Sequence, residues 1–247
     1  MFQSIPWRKI HRWLGLLIGI QVLFWMASGL YFALVPIESV RGEHLTTEPV
    51  ALAATELQAL LPPGQALAAL QLEKLDGISL KRLRGKLVYK VSFLQNDQPQ
   101  HRLLDARDGR LLPQLGTPEA QELAVAALRE AAPVKNIQRI ESHQPGSEYR
   151  GRSLPLYRVD FDHPDALRIY LDAWTGEVVA RRTSTWRIFD FLWMLHILDF
   201  QERDNFNQPL LQFMALAGLL IVITGYALWW LTSVFVKRRR SKLASAG

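Results

Sequence analysis

"YRVDFDHPDALRIYLDAWTGEVV", residues 157–179, decides how the middle of this chain is read. Tyr157, Val159 and Phe161 alternate with Arg158 and Asp160, the period-two pattern of a strand with one buried face. A polar turn, Asp162 to Asp165, leads into a second strand that closes on Asp172–Gly176. Glycine supplies a positive φ at such a turn, and aspartate bonds to nearby backbone amides. The same order occurs earlier: "YKVSF" at 89–93, the polar turn "LQNDQPQ", then "HRLLDARDGRLL" with Asp105–Gly109. The chain therefore carries two copies of one hairpin.

Each copy is preceded by a helical stretch. "TELQALL" and the Ala/Leu-rich residues after Pro63 precede the first, and "TPEAQELAVAALREAA" the second. Thr117, with Pro118 behind it, reads as an N-cap with proline at the first helical position. The expectation is an α+β domain over residues 38–184, made of two helix-plus-antiparallel-sheet units at about 50–115 and 116–184.

Working outward, apolar runs flank this domain. No Asp, Glu, Lys or Arg occurs from Trp13 to Ile37, nor from Asn205 to Val236. Each run exceeds the roughly 20 residues that cross a hydrocarbon core of about 30 Å. Lipid forces such segments into helices, because every backbone polar group needs an internal partner. A cleavable signal peptide has an apolar stretch of only about 7–15 residues, so residues 13–37 read as a retained first span and 205–236 as a second. Residues 185–204, "TWRIFDFLWMLHILDFQERD", are too apolar for a free loop, yet carry Arg187, Asp190 and Asp199. They read as a helix lying in the outer interface.

The net charge of +6 suggests nucleic acid until it is partitioned. Arg8, Lys9 and Arg12 lie in residues 1–12, and Lys237, Arg238, Arg239, Arg240 and Lys242 lie in 237–247. The rest of the chain holds 21 basic and 23 acidic residues. The basicity belongs to the membrane flanks, which excludes a nucleic-acid partner. It places both termini in the cytoplasm and the main domain in the periplasm of a bacterial inner membrane. With no cysteine, disulfides, thiolate metal sites and cysteine nucleophiles are excluded. No H-E-x-x-H, G-x-S-x-G, P-loop or dinucleotide glycine motif occurs, so the chain is not a recognisable peptidase or NAD(P)H enzyme.

"YLDAWTGEVV" resembles the turn-closing strand of the PepSY domain. "HRWLGLLIG" at the first span, "LWMLHILDF", and "LAGLLIVITGYALWWL" in the second resemble the PepSY-associated transmembrane family, over nearly the whole chain. Larger members of that family include bacterial inner-membrane reductases that release iron from siderophores, using haem bound between membrane helices. The present chain is shorter and has fewer spans. The PepSY module also occurs as an inhibitor in propeptides of secreted metallopeptidases.

The resemblance turns attention to two histidines. His11, Gly15 and Gly19 share one helical face, leaving room beside the histidine for another backbone or a flat macrocycle. Gly15 and Gly19 are also the small-xxx-small pattern of close helix packing. The rival reading makes His11 a polar collar residue beside Arg8 and Arg12. His196 has Asp199 one turn on, where an acid can orient a ligating imidazole; its rival reading is an interfacial histidine with one wet edge. His11 at the cytoplasmic surface and His196 at the outer one are separated by roughly 30 Å of hydrocarbon, so one chain cannot bring both to one iron. A twofold homodimer would pair His11 with His11 and His196 with His196, one haem b near each surface.

Asp160, Asp162, His163 and Asp165 form a weaker cation candidate in a turn where polar residues are expected anyway. Trp7, Trp13, Tyr226, Trp229 and Trp230 read as aromatic belts, while Gly218, Thr224 and Gly225 suggest packing of the second span. Two functions are compatible with these features. One is a haem-carrying component that passes electrons to a periplasmic acceptor such as a ferric chelate. The other is a membrane-anchored, non-enzymatic module that binds a periplasmic peptide or protein.

Overall fold

The computed structural model describes residues 7–47, 52–68, 70, 74–95 and 98–232. Helix α1 (Trp7–Leu34) is succeeded by two short helices, α2 (Ile37–Val40) and α3 (Pro63–Leu67). Three strands come next: β1 (Lys74–Leu83), β2 (Lys86–Gln95) and β3 (Gln98–Asp105). Helix α4 (Thr117–Ala126) then leads into β4 (Val134–Ile140), β5 (Leu156–Phe161), β6 (Arg168–Asp172) and β7 (Val178–Arg182). Helices α5 (Ser184–Ile197) and α6 (Pro209–Thr232) complete the described chain. It divides into two units, residues 35–189 and residues 1–34 with 190–247.

The sheet-bearing unit holds two antiparallel meanders, β1-β2-β3 and β4-β5-β6-β7. The α+β expectation of two helix-and-sheet units is met. "YKVSF" lies in β2 and "YRVDF" in β5, and their alternation does what the pattern predicts. Tyr157, Val159 and Phe161 join Ile169 and Leu171 in a core under Ala120 and Ala124 of α4. Tyr89, Val91 and Phe93 join Leu104 in a second core, against Ala66 of α3.

The two turns also repeat in their hydrogen bonds. Asp105 Oδ1 accepts from the Arg107 amide, and Asp172 Oδ1 accepts from the Trp174 and Thr175 amides. Gly109 and Gly176 both have φ of 72°, and each donates back to its aspartate carbonyl. Only Gly fits at 176: an added Cβ would stand 2.9 Å from Leu123 Cδ1 and 3.0 Å from Arg84 Cγ. The second turn also joins the two meanders. Glu177 pairs with Lys81 of β1 at 2.6 Å and with Lys90 of β2, while the Arg102 guanidinium lies 3.7 Å from the Trp174 ring.

Three details differ from the sequence reading. The first unit's helix shrinks to a 3-10 turn, Ala54–Ala59, and the five-residue α3, because Pro62–Pro63–Gly64 interrupts it. Gly116, not Thr117, is the N-cap of α4, with Pro118 in its first turn. The outer strands β1 and β4 are not legible as strands in the sequence; both are edges interrupted by a bulge, at Leu75/Gly77 and Val134/Asn136. The first copy has no counterpart of β7 among the described residues. Leu111 forms a single bridge to Leu104, and Pro113 comes two residues later.

In the other unit, Gly15–Leu34 and Pro209–Ala227 are long and apolar enough to cross a membrane. Only 17% and 11% of those windows is buried within the protein, whereas the core helix of a soluble protein is mostly covered. The two helices meet where Gly218 admits α1: a Cβ there would lie 3.7 Å from the Trp25 ring and 4.0 Å from Ile18 and Val22. Of the packing residues expected in α6, Gly218 makes the contact. Thr224 turns its hydroxyl to its own helix carbonyls, Leu220 and Ile221, and Gly225 faces open space.

Candidate functional site

The second half of α5, from Asp190, lies in the same unit as α1 and α6. It runs beside α1 from Phe32 back to Gln21, and it ends there. Leu198, in the left-handed region at φ 58°, stops the helix. A helix end leaves its last carbonyls without intrahelical donors. Here side chains supply them: Gln21 Nε2 donates to Leu195 O at 3.1 Å, Trp25 Nε1 to His196 O at 2.7 Å, and Gln208 Nε2 to Ile197 O.

The loop beyond is organised by Asp199. Its carboxylate accepts from the amides of Gln201, Glu202, Asp204 and Asn205 at 3.1–3.2 Å. Burial raises the Asp199 pKa, but these four donors outweigh it and hold the group below the usual aspartate range. Buried Asp190 pairs with Arg203 of the same loop, whose carbonyl accepts from Trp193 Nε1 at 3.1 Å.

His196 sits in this frame. Its Nδ1 lies 2.7 Å from Ser28 Oγ, and the Trp193 ring is parallel to the imidazole within 3°, with centroids 6.3 Å apart. Phe32 and Trp25 flank it at 5.7 and 6.4 Å. Burial lowers its pKa below the ordinary histidine value, favouring the neutral ring. Ser28 is 1% exposed, and its hydroxyl stands between Nδ1 and the helix carbonyls of Phe24 (2.7 Å) and Trp25 (3.2 Å). With the hydroxyl proton on a carbonyl, Ser28 accepts from Nδ1–H and Nε2 carries the lone pair; with it on Nδ1, the tautomer is the reverse. The imidazole is oriented by Ser28, while Asp199 is engaged by backbone amides. The sequence points to Asp199 because it is one turn away; Ser28, 168 residues distant, leaves no local signal.

His11 lies in α1, but its side chain is outside the described residues. It precedes Ser28 by 17 residues, which at 1.5 Å rise per residue is about 25 Å of helix. The structure does not bring it to His196. A Cβ on Gly15 or Gly19 would meet nothing within 4 Å, so that face of α1 is uncovered by the described residues. At the 160–165 turn, His163 Nδ1 accepts from the Asp165 amide at 3.1 Å, and Asp160 pairs with Arg158 and Arg168. These are turn and strand contacts. Among the described residues no group of three or more His, Asp or Glu side chains is placed to hold a metal ion.

Comparison with protein-family models matches residues 8–245 to the PepSY-associated TM region. No curated protein and no solved structure matches the chain.

Proposed function

The chain belongs to the PepSY-associated transmembrane family, and from that premise we propose that it is an inner-membrane electron-transfer component with His196 as an axial ligand of haem b. The observation that carries this reading is the buried imidazole held through Nδ1 by Ser28 at 2.7 Å, which leaves Nε2 as the nitrogen to coordinate. Ligating histidines are held in this way, with the second ring nitrogen fixed by a hydrogen bond. The parallel Trp193 ring and Phe32 offer flat apolar surface near the imidazole ring. The residues fit one axial position per chain. Haem, when bound, supplies one-electron transfer.

A second axial ligand comes from a second copy in this reading. The open Gly15 and Gly19 face of α1 suits a twofold contact, and His11 serves the opposite side of the membrane. With both basic flanks cytoplasmic, the two meanders lie in the periplasm, where they meet an acceptor such as a ferric chelate.

The test is the optical spectrum of the full chain purified in detergent from haem-replete cells, before and after dithionite. Low-spin b-type bands that His196→Ala removes from its site, and that His11→Ala halves, are the expected result. A colourless protein overturns it. That outcome leaves the binding module, for which one observation speaks: an apolar groove lined by Leu57, Leu61, Ile78, Leu80 and Tyr89 beside the edge strand β1.

A further inference from the structure

The outward face of the second meander is rich in arginine, and its charges are unevenly balanced. Glu148 takes both Arg187, at 2.7 Å, and Arg168, at 3.1 Å, and also accepts from Tyr170 Oη at 2.9 Å. Asp160 is shared by Arg158 and Arg168. Both carboxylates are thus committed.

Arg182, the last residue of the edge strand β7, has no carboxylate partner within ion-pair distance among the described residues. Its Nε donates to the backbone oxygen of Glu148 at 2.7 Å and its Nη1 to that of Arg181 at 3.0 Å. Its guanidinium carbon lies 4.1 Å from the Trp186 ring centroid. Burial, and then the nearby charge of Arg152, push the Arg182 pKa down to about 10. Arg152 is exposed and also has no carboxylate partner among the described residues. A half-buried guanidinium beside a second one is costly unless an anion neutralises it, and the arginine fork matches phosphate oxygens in geometry.

The surroundings point to where that anion comes from. Trp186 lies in the first turn of α5, two residues before Ile188, which is 52% exposed. Basic, aromatic and apolar side chains in one short stretch are the composition of a membrane-interface contact, and the family is a membrane family. We propose that Arg182, over the Trp186 ring, and the exposed Arg152 near it form a binding site for the phosphate group of an acidic phospholipid. The headgroup lies on the two guanidinium groups, and Ile188 adjoins the start of its acyl chains.

The experiment is native mass spectrometry of the full chain in detergent, equilibrated with equal amounts of phosphatidylglycerol and phosphatidylcholine. The wild-type chain should retain phosphatidylglycerol in excess. Arg152→Ala, a surface change that leaves the fold intact by circular dichroism, should reduce that excess about tenfold, one bidentate charge-assisted contact at 1.4 kcal/mol per decade. Arg182→Lys, which keeps the charge and loses the fork, should reduce it as well. Equal retention of the two lipids, or an unchanged excess in Arg152→Ala, overturns the site. Displacement by an equimolar amount of inorganic phosphate also overturns it, in favour of a soluble phosphate ligand. The readout does not involve haem absorbance, so this site and the His196 proposal fail separately.

Discussion

Ser28 Oγ and His196 Nδ1 are 168 residues apart in sequence and 2.7 Å apart in space, and that one hydrogen bond holds the imidazole by one of its two nitrogens. The same hydroxyl reaches the helix carbonyl of Phe24 at 2.7 Å. A single hydroxyl on α1 therefore orients a side chain on α5.

Ser28→Ala removes the partner of the buried Nδ1 and leaves that nitrogen unsatisfied. The expected loss of stability is about 1–3 kcal/mol, the cost of an unpaired buried polar group. The reduced-minus-oxidised bands of the His196 site should weaken as well. Thermal melts monitored by both circular dichroism and visible absorbance check this, and Ser28→Thr, which retains the hydroxyl, should restore both signals.

Asp199→Ala deletes one carboxylate that serves four amides. Loss of several charge-assisted bonds predicts a fall of about 3 kcal/mol. Proteolysis should then appear first between residues 199 and 208. If that loop stays as resistant as in the wild type, Asp199 does not organise it.

Glu177 gives the two meanders a pH-dependent tie. Burial raises its pKa, but Lys81 and Lys90 outweigh that and hold it below the usual glutamate range. Its contribution is therefore complete above the ordinary glutamate pKa and is lost as pH falls through the lowered folded value. Glu177→Gln should cost about 2 kcal/mol near neutrality. It should also flatten the acid limb of a denaturation curve measured from pH 6 downward. An unchanged acid limb would sink the assignment.

Gly176→Ala places a Cβ at positive φ and 2.9 Å from Leu123 Cδ1. Strain and displacement together should cost about 2–4 kcal/mol. Gly85→Ala, also at positive φ but with open space around it, should cost less than Gly176→Ala in the same urea titration.

Much of the fold can be read directly. Alternation in "YKVSF" and "YRVDF", with the Asp-to-Gly turns, locates β2, β3, β5 and β6, because local hydrophobic pattern and turn chemistry agree there. The edges β1 and β4 escape because a bulged, half-exposed strand loses period two. The helix before the first meander is shorter than its composition suggests, since Ala/Leu content is a propensity that Pro62 and Pro63 override. At the candidate site the histidine is visible from its place in an apolar segment. Its partner is not: an i to i+3 acid is a local clue, whereas the serine that holds the ring comes from the other end of the chain.

The bare carbonyls at the end of α5 bear on the status of α1. Two of the three donors that cover them, Gln21 and Trp25, come from that first helix. Cutting the chain behind Leu34 would uncover two backbone oxygens in an apolar setting and take away the hydroxyl that aims His196. The first helix is thus a structural wall for the end of α5, which without it keeps one of its three side-chain donors, Gln208.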